Sequence, residues 1–154
     1  MAYWILKSEP GDFSIEDLAA SRDQITFWDG VRNYQARNFI RDSMKSGDLA
    51  FFYHSSCAEP GIAGIVEIVG DAYPDETAFD SRDKHFDAAS ERQNPRWYGR
   101  DVRLVRVFET VLTLKKLKQH AGDSLSELRL LKRGNRLSVM PVSEKDWHYI
   151  LELE

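Results

Sequence analysis

The 154-residue sequence carries 42% apolar, 12% aromatic and 30% charged side chains. That is enough to bury one hydrophobic core and too little for two ordinary domains, so residues 1–154 read as a single folded domain and not as a disordered chain. A net charge of −4 argues against a protein that coats DNA by bulk charge, and a single cysteine, Cys57, excludes an internal disulfide.

The apolar opening Ala2–Leu6 is interrupted by Lys7, Glu9 and Asp12, short of a secretion signal or a membrane span. This predicts a cytoplasmic protein, or a nuclear one in a eukaryotic cell, with no membrane partner. Tyr3–Leu6 has the composition of a buried strand closed by Glu9-Pro10-Gly11. Ser14 with an acid three residues on opens a short helix, and Ile25–Trp28 is a short extended run stopped by Asp29-Gly30. From Asn33 to Met44 the apolar residues Ala36, Phe39, Ile40 and Met44 recur at helical spacing. Leu49–His54 and Ile62–Val69, separated by Pro60-Gly61, pair as an antiparallel hairpin. Residues 70–96, rich in Asp, Ser, Pro and Asn, read as a long loop of the kind that more often carries function than not. The alternation over Trp97–Val107 predicts a half-buried strand. Helices are expected over Leu114–His120 and from Ser124 through Leu131, then a strand over Arg136–Val142 and a closing helix capped by Ser143. About six strands with short flanking helices make an α+β protein with a curved mixed sheet.

The net charge conceals a segregation. Residues 1–91 carry 8 Lys and Arg against 17 Asp and Glu, whereas residues 92–136 carry 12 against 4. The basic segment could face phosphates, or it could pair with the acidic one across the fold. His54, His85, His120 and His148 follow no metal-ligand spacing, so no metal is expected, and no cofactor motif is present. No nucleophile is specified with a base, which leaves an enzyme acting on nucleic acid or a small anionic metabolite as the weaker alternative to a binding domain.

Three clusters exceed what a core requires. Lys7, Ser8 and Glu9 leave the first strand together, and the plain alternative is a polar turn. Trp28 and Asp29 stand at a glycine turn before a helix, with Val31 and Asn33 following, where a ring face, a carboxylate and N–H donors can surround one ligand. Here the alternative is a core tryptophan beside a turn residue. Tyr53, His54 and Ser55 emerge at the end of another strand, with a wet hairpin turn as the alternative.

Several blocks resemble the EVE domain: Trp4–Pro10, Trp28–Asn38, Phe52–Ser55, Glu59–Gly64, Asn94–Trp97 and Arg136–Val142. The resemblance covers essentially the whole chain. It implies a PUA-like fold, a curved mixed sheet or open barrel related to the YTH domains that read methylated adenine in RNA. It further implies a non-catalytic domain that binds a modified base, a modified cytosine in DNA, with a modified base in RNA or tRNA as the alternative. By position in that family, Ser8 and Glu9 correspond to the polar end of the first strand, Trp28 to an aromatic wall and Asp29 to its polar neighbour. Tyr73 or Phe79, with Trp97, are the candidates for a second wall, and Arg133 and Arg136 fall where YTH domains meet the nucleic-acid backbone. Trp28, Ser8, Asp29 and residues near His54 are therefore expected to line one concavity, bordered by Arg96, Arg100, Lys132, Arg133 and Arg136.

Overall fold

The computed structural model describes residues 1–154. In chain order the elements are β1 (Tyr3–Ser8), α1 (Ile15–Ala20), β2 (Ile25–Phe27), α2 (Tyr34–Asn38), β3 (Leu49–His54), β4 (Gly61–Pro74), β5 (Tyr98–Thr113), α3 (Leu114–Lys118), β6 (Val139–Val142) and α4 (Glu144–Leu153). The six strands form one sheet in the order β2-β5-β4-β3-β1-β6. Only β1 and β3 run parallel, with Ser8 opposite His54; the other neighbours are antiparallel. β2 and β6 are unpaired edges, so the barrel stays open.

The two long strands carry the curvature. The β4–β5 ladder shifts register at Ile62/Gly64, Ile65/Val66 and Val69/Tyr73, and each irregularity bends the strand and adds local twist. β1 and β3 have neighbours on both edges and are apolar along most of their length, with Ile5, Leu6, Phe51 and Phe52 essentially inaccessible. Burial of that kind contributes about 1.5–3 kcal/mol for each large side chain. α4 closes one face through Trp147, which stacks on Phe51 at 3.9 Å and on Tyr3 at 4.6 Å.

The helix starts follow their caps. Ser14 and Asp17 form a reciprocal capping box on α1, Asn33 accepts from the Ala36 N–H at the start of α2, and Ser143 caps α4. The amphipathic stretch from Asn33 is helical as its spacing predicts, but it widens into a π-type turn over Phe39–Ser43. Three expectations are corrected. The segment 70–96 is strand as far as Pro74, with a 3-10 turn at Glu76–Phe79. Ser124–Leu131 forms turns and a 3-10 turn at Arg129–Leu131 instead of a helix, because Leu125 and Leu128 are buried by tertiary packing without a continuous apolar stripe. The last strand begins at Val139 and not at Arg136.

Candidate functional site

A cavity of about 1000 Å³ opens where β1 and β2 run out into loops. Its lining comes from four stretches: Lys7, Ser8 and Glu9 with the turn that follows; Thr26 to Val31; Arg82 to His85; and Arg136 to Ser138, joined by Ser55 and Ser56. The sheet topology causes this meeting. Ser55 N–H donates to the Ser8 carbonyl at 2.9 Å and Lys7 N–H to the Ser138 carbonyl at 2.8 Å, so three strand ends are laced side by side. Trp28 is held by its own N–H, which donates to the Arg100 carbonyl at 2.8 Å beyond the end of β2.

Within this lining the aromatic surface comes from Phe13, Phe27 and Trp28, and most of the Trp28 ring is core. It is 7% exposed and meets Phe52 edge-on at 5.3 Å. The Ser8 hydroxyl donates to the Phe13 carbonyl at 2.6 Å, leaving oxygen lone pairs as acceptors. Lys7 is half-buried, with its ammonium 5.7 Å from the Tyr53 ring centroid, and burial pulls its pKa below the ordinary lysine value. Asp29 shifts the other way. Desolvation against the cavity wall pushes its carboxyl up, the charges of Asp75 and Asp83 add to that, and His85 and Arg32 oppose it.

Behind the cavity wall stands a fully buried carboxylate, Asp75. It accepts from the Gly30 N–H at 2.8 Å, from Arg32 Nη1 at 3.0 Å, and from the Thr77 hydroxyl and N–H at 2.6 and 3.0 Å. Arg32 in turn donates Nε and Nη2 to the His85 carbonyl at 2.9 and 2.7 Å. One ion pair thereby fastens Trp28–Val31 to the Arg82–His85 loop. Gly30 has φ +77°, and a β-carbon there would lie 2.6 Å from His85 Nε2. Gly30→Ala is therefore expected to cost on the order of 1–3 kcal/mol through strain and displacement of the His85 ring, read as a lowered urea midpoint. An unchanged midpoint would show that the loop is not held against Gly30.

A family model described as the EVE domain matches residues 2–153. The chain belongs to the EVE family. Thymocyte nuclear protein 1 of Gallus gallus is 47% identical over 99% of this chain, which spans 68% of that relative. The Homo sapiens protein of the same name is 45% identical over 99% of this chain and 74% of its own length. Among solved structures, the human THYN1 protein in complex with 5-methylcytosine containing DNA matches with a TM-score of 0.94 at 44% identity, covering 99% of this chain and 97% of that one. A Pseudomonas putida protein matches with a TM-score of 0.92 at 51% identity over 99% of both chains. The open six-stranded mixed sheet with short helices is thus the EVE fold, as the sequence blocks implied.

Of the residues singled out from sequence, this EVE domain brings Lys7, Ser8, Glu9, Trp28, Asp29, Val31, Ser55 and Arg136 to the cavity. Others stand outside its lining, each with a physical reason. Tyr53 is buried in β3, where desolvation pushes its hydroxyl pKa up to about 12. His54 Nε2 accepts from the Ile15 N–H at 3.1 Å and serves the start of α1; burial holds its pKa low, which suits an acceptor nitrogen. Asn33 is spent on capping α2. Trp97 is buried against Tyr34 at 4.9 Å with its N–H donated to Asp87 at 2.7 Å. Phe79 lies under the Arg92 guanidinium at 4.7 Å, and Tyr73 packs on Phe27.

The expected basic rim is also redistributed. Arg100 is buried, donating to the Ile40 and Gly70 carbonyls at 2.7 and 2.8 Å. Arg92 pairs with Glu76 and Arg103 with Glu67, so part of the basic segment does neutralise the acidic one. Arg133 is exposed beyond the cavity lining, as is Lys132, which donates to the Ser126 carbonyl at 2.7 Å; Arg96 is half-buried and likewise outside it. The cations that do line the cavity are Lys7, Arg82, Lys84 and Arg136. Sequence reasoning missed the wall formed by Arg82–His85; its one signal was the polar length of the loop. No group of three or more His, Cys, Asp or Glu is placed to hold a metal, and no helix is long and apolar enough to cross a membrane.

Proposed function

We propose that this EVE domain is a non-catalytic reader that takes one modified base, a modified cytosine in DNA, into the cavity beside Trp28. The observation that carries this reading is the joining of an aromatic wall to polar strand ends in one opening, Trp28 with Ser8 and Asp29, in the fold of a human protein solved with 5-methylcytosine containing DNA. A base offers two π faces and one hydrogen-bonding edge, so it enters such a site from a single strand or after leaving the duplex. Trp28 supplies stacking surface; Ser8, Asp29 and Glu9 supply partners for the edge. Arg82, Lys84 and Arg136 line the opening, where flanking phosphates would pass. The non-catalytic assignment is supported by the nearest histidines: His54 is committed to the Ile15 N–H at the start of α1 and His85 lies 3.3 Å from Asp83, and neither hydrogen-bonds a hydroxyl or thiol. The reading places the protein wherever the cell keeps its DNA: the cytoplasm in a cell without a nucleus, the nucleus otherwise.

The test is binding to oligonucleotides of one sequence, in DNA and RNA, with cytosine or 5-methylcytosine at a central position, followed by mass spectrometry of the recovered strand. The methylated DNA should bind more tightly and return unaltered. Equal affinity for the two bases would sink the modification reading, tighter RNA binding would move the assignment to RNA, and an altered strand would make the protein an enzyme. The logarithm of affinity should fall with the logarithm of salt, with a slope near −0.9 per phosphate contacted on duplex and about −0.7 on a single strand. Arg136→Gln should make that slope shallower by about one contact, and an unchanged slope would remove Arg136 from the backbone path.

A further inference from the structure

Asp29 lies on the cavity wall and its carboxylate makes no hydrogen bond within the chain. The cations that could claim it are engaged elsewhere. Arg32 donates to the Val31 and His85 carbonyls, to Thr77 and to Asp75. Lys84 pairs with Asp12 at 2.6 Å, and His85 Nδ1 is 3.3 Å from Asp83. The turn beneath Asp29 is fixed by the Gly30 N–H on Asp75. An exposed carboxyl with no hydrogen-bond partner in the chain therefore borders the space the base would occupy, on a turn whose backbone is fixed.

A carboxylic acid presents one donor beside one acceptor, whereas an ionised carboxylate only accepts. Cytosine and 5-methylcytosine carry a ring nitrogen that accepts beside an amine that donates, which complements the acid. Thymine offers a ring N–H and guanine two adjacent donors, which an ionised carboxylate accepts without a proton, so proton uptake marks a base with an acceptor beside an amine. We propose that Asp29 reads the base edge as a carboxylic acid, pairing with both the ring nitrogen and the amine, so that binding a cytosine-type base takes up one proton from solvent. The inference rests on the base-binding reading of the cavity. The proton lies on the aspartate oxygen or on the ring nitrogen, and both placements give two hydrogen bonds and the same uptake.

The surroundings of Asp29 favour this. Desolvation already pushes its carboxyl up, and Asp75 and Asp83 reinforce the shift against the weaker opposing pull of His85 and Arg32. Around the opening, Lys7 and Glu9 at the end of β1, Arg136 before β6, and Arg82, which pairs with Asp80 at 3.2 Å, complete the charged groups of the lining. Because the complex holds a proton that the free partners lack, affinity should fall as pH rises, by up to tenfold per pH unit.

The experiment measures affinity of the full chain, wild type and Asp29→Asn, for single strands carrying 5-methylcytosine or thymine between about pH 5.5 and 8.5, with thermal melts to establish folding. An asparagine amide offers the same donor and acceptor without titrating. The expected result is a wild-type affinity for 5-methylcytosine that falls with pH while that for thymine does not, and an Asp29→Asn protein that still binds 5-methylcytosine and shows no pH dependence. A pH dependence that survives in Asp29→Asn comes from another group and overturns the proposal. A flat wild-type profile, or a folded Asp29→Asn protein that has lost binding at every pH, overturns it as well. Wild-type protein that binds both strands equally would defeat the base-reading function itself, a separate outcome.

Discussion

Replacing Asp75 with alanine is expected to lower stability by about 3–5 kcal/mol, the range for removing one partner of a buried ion pair. Arg32 would keep its charge without its carboxylate, and the Gly30 N–H and the Thr77 hydroxyl would lose their acceptor. Asp75→Asn preserves the shape and one acceptor and should cost less. The pH dependence has a defined sign. Burial is the largest influence on Asp75 and acts to raise its pKa, yet the Thr77, Gly30 and Arg32 hydrogen bonds together hold it below the ordinary aspartate value. A carboxylate depressed on folding stabilises the protein above its unfolded pKa, about 3.9, and that stabilisation is lost as pH falls through the lower folded value. Urea midpoints of wild type and Asp75→Asn should therefore converge below about pH 4 and separate above it. A loss under about 1 kcal/mol for alanine would mean that the pair does not fasten the Arg82–His85 loop to the cavity wall.

The second large effect is at Trp28. If Trp28 were a wall standing free of the core, Trp28→Ala would cost less stability than truncating a buried tryptophan; if it were core, the full loss is expected. With the ring 7% exposed and set edge-on to Phe52 at 5.3 Å, the expected loss is the full ~3–5 kcal/mol of a core aromatic. In a domain of this size each kcal/mol lowers Tm by about 2–4 °C. Base binding is then better judged with Trp28→Phe, which keeps a π face and should fold while losing part of the ~1–3 kcal/mol that stacking contributes. Thermal unfolding and oligonucleotide affinity measured on both variants separate the two roles. If Trp28→Ala, cooled until fully folded, binds like wild type, the ring is core alone.

What was legible from sequence was the punctuation. Ser8, Trp28 and Ser55 each stand where a run of strand-forming residues meets a turn signal, and the topology carries all three to one opening. Composition could not reveal which way a ring or a cation points. Trp97 and Phe79 sit in the polar segment 70–96 and its border, where an aromatic is equally consistent with a binding wall and with the anchor of a loop; both turned out to pack. Arg100 reads as one more cation in a basic segment, but its strand position turns it inward, onto the Ile40 and Gly70 carbonyls. His85, by contrast, reaches the cavity through its closeness to Gly30, a contact between distant segments that leaves no local pattern. The helix expected over Ser124–Leu131 failed for a related reason, since its leucines are buried by what lies around them.

The position of β1 in the sheet bears on how the protein is made. β1 lies between β3 and β6, and the cavity it ends in needs Ser138 hydrogen-bonded to Lys7. On a ribosome, the first strand emerges long before residues 138–142 have been synthesised. For that interval it is an apolar strand with an open edge, the kind of segment that pairs with the wrong neighbour. Pairings between such distant segments also form slowly, because the loop between them must be closed first. A nascent chain halted before residue 138 therefore has no completed cavity, and cells would meet this fold first as a client for holding factors and only at the end of translation as a binding protein.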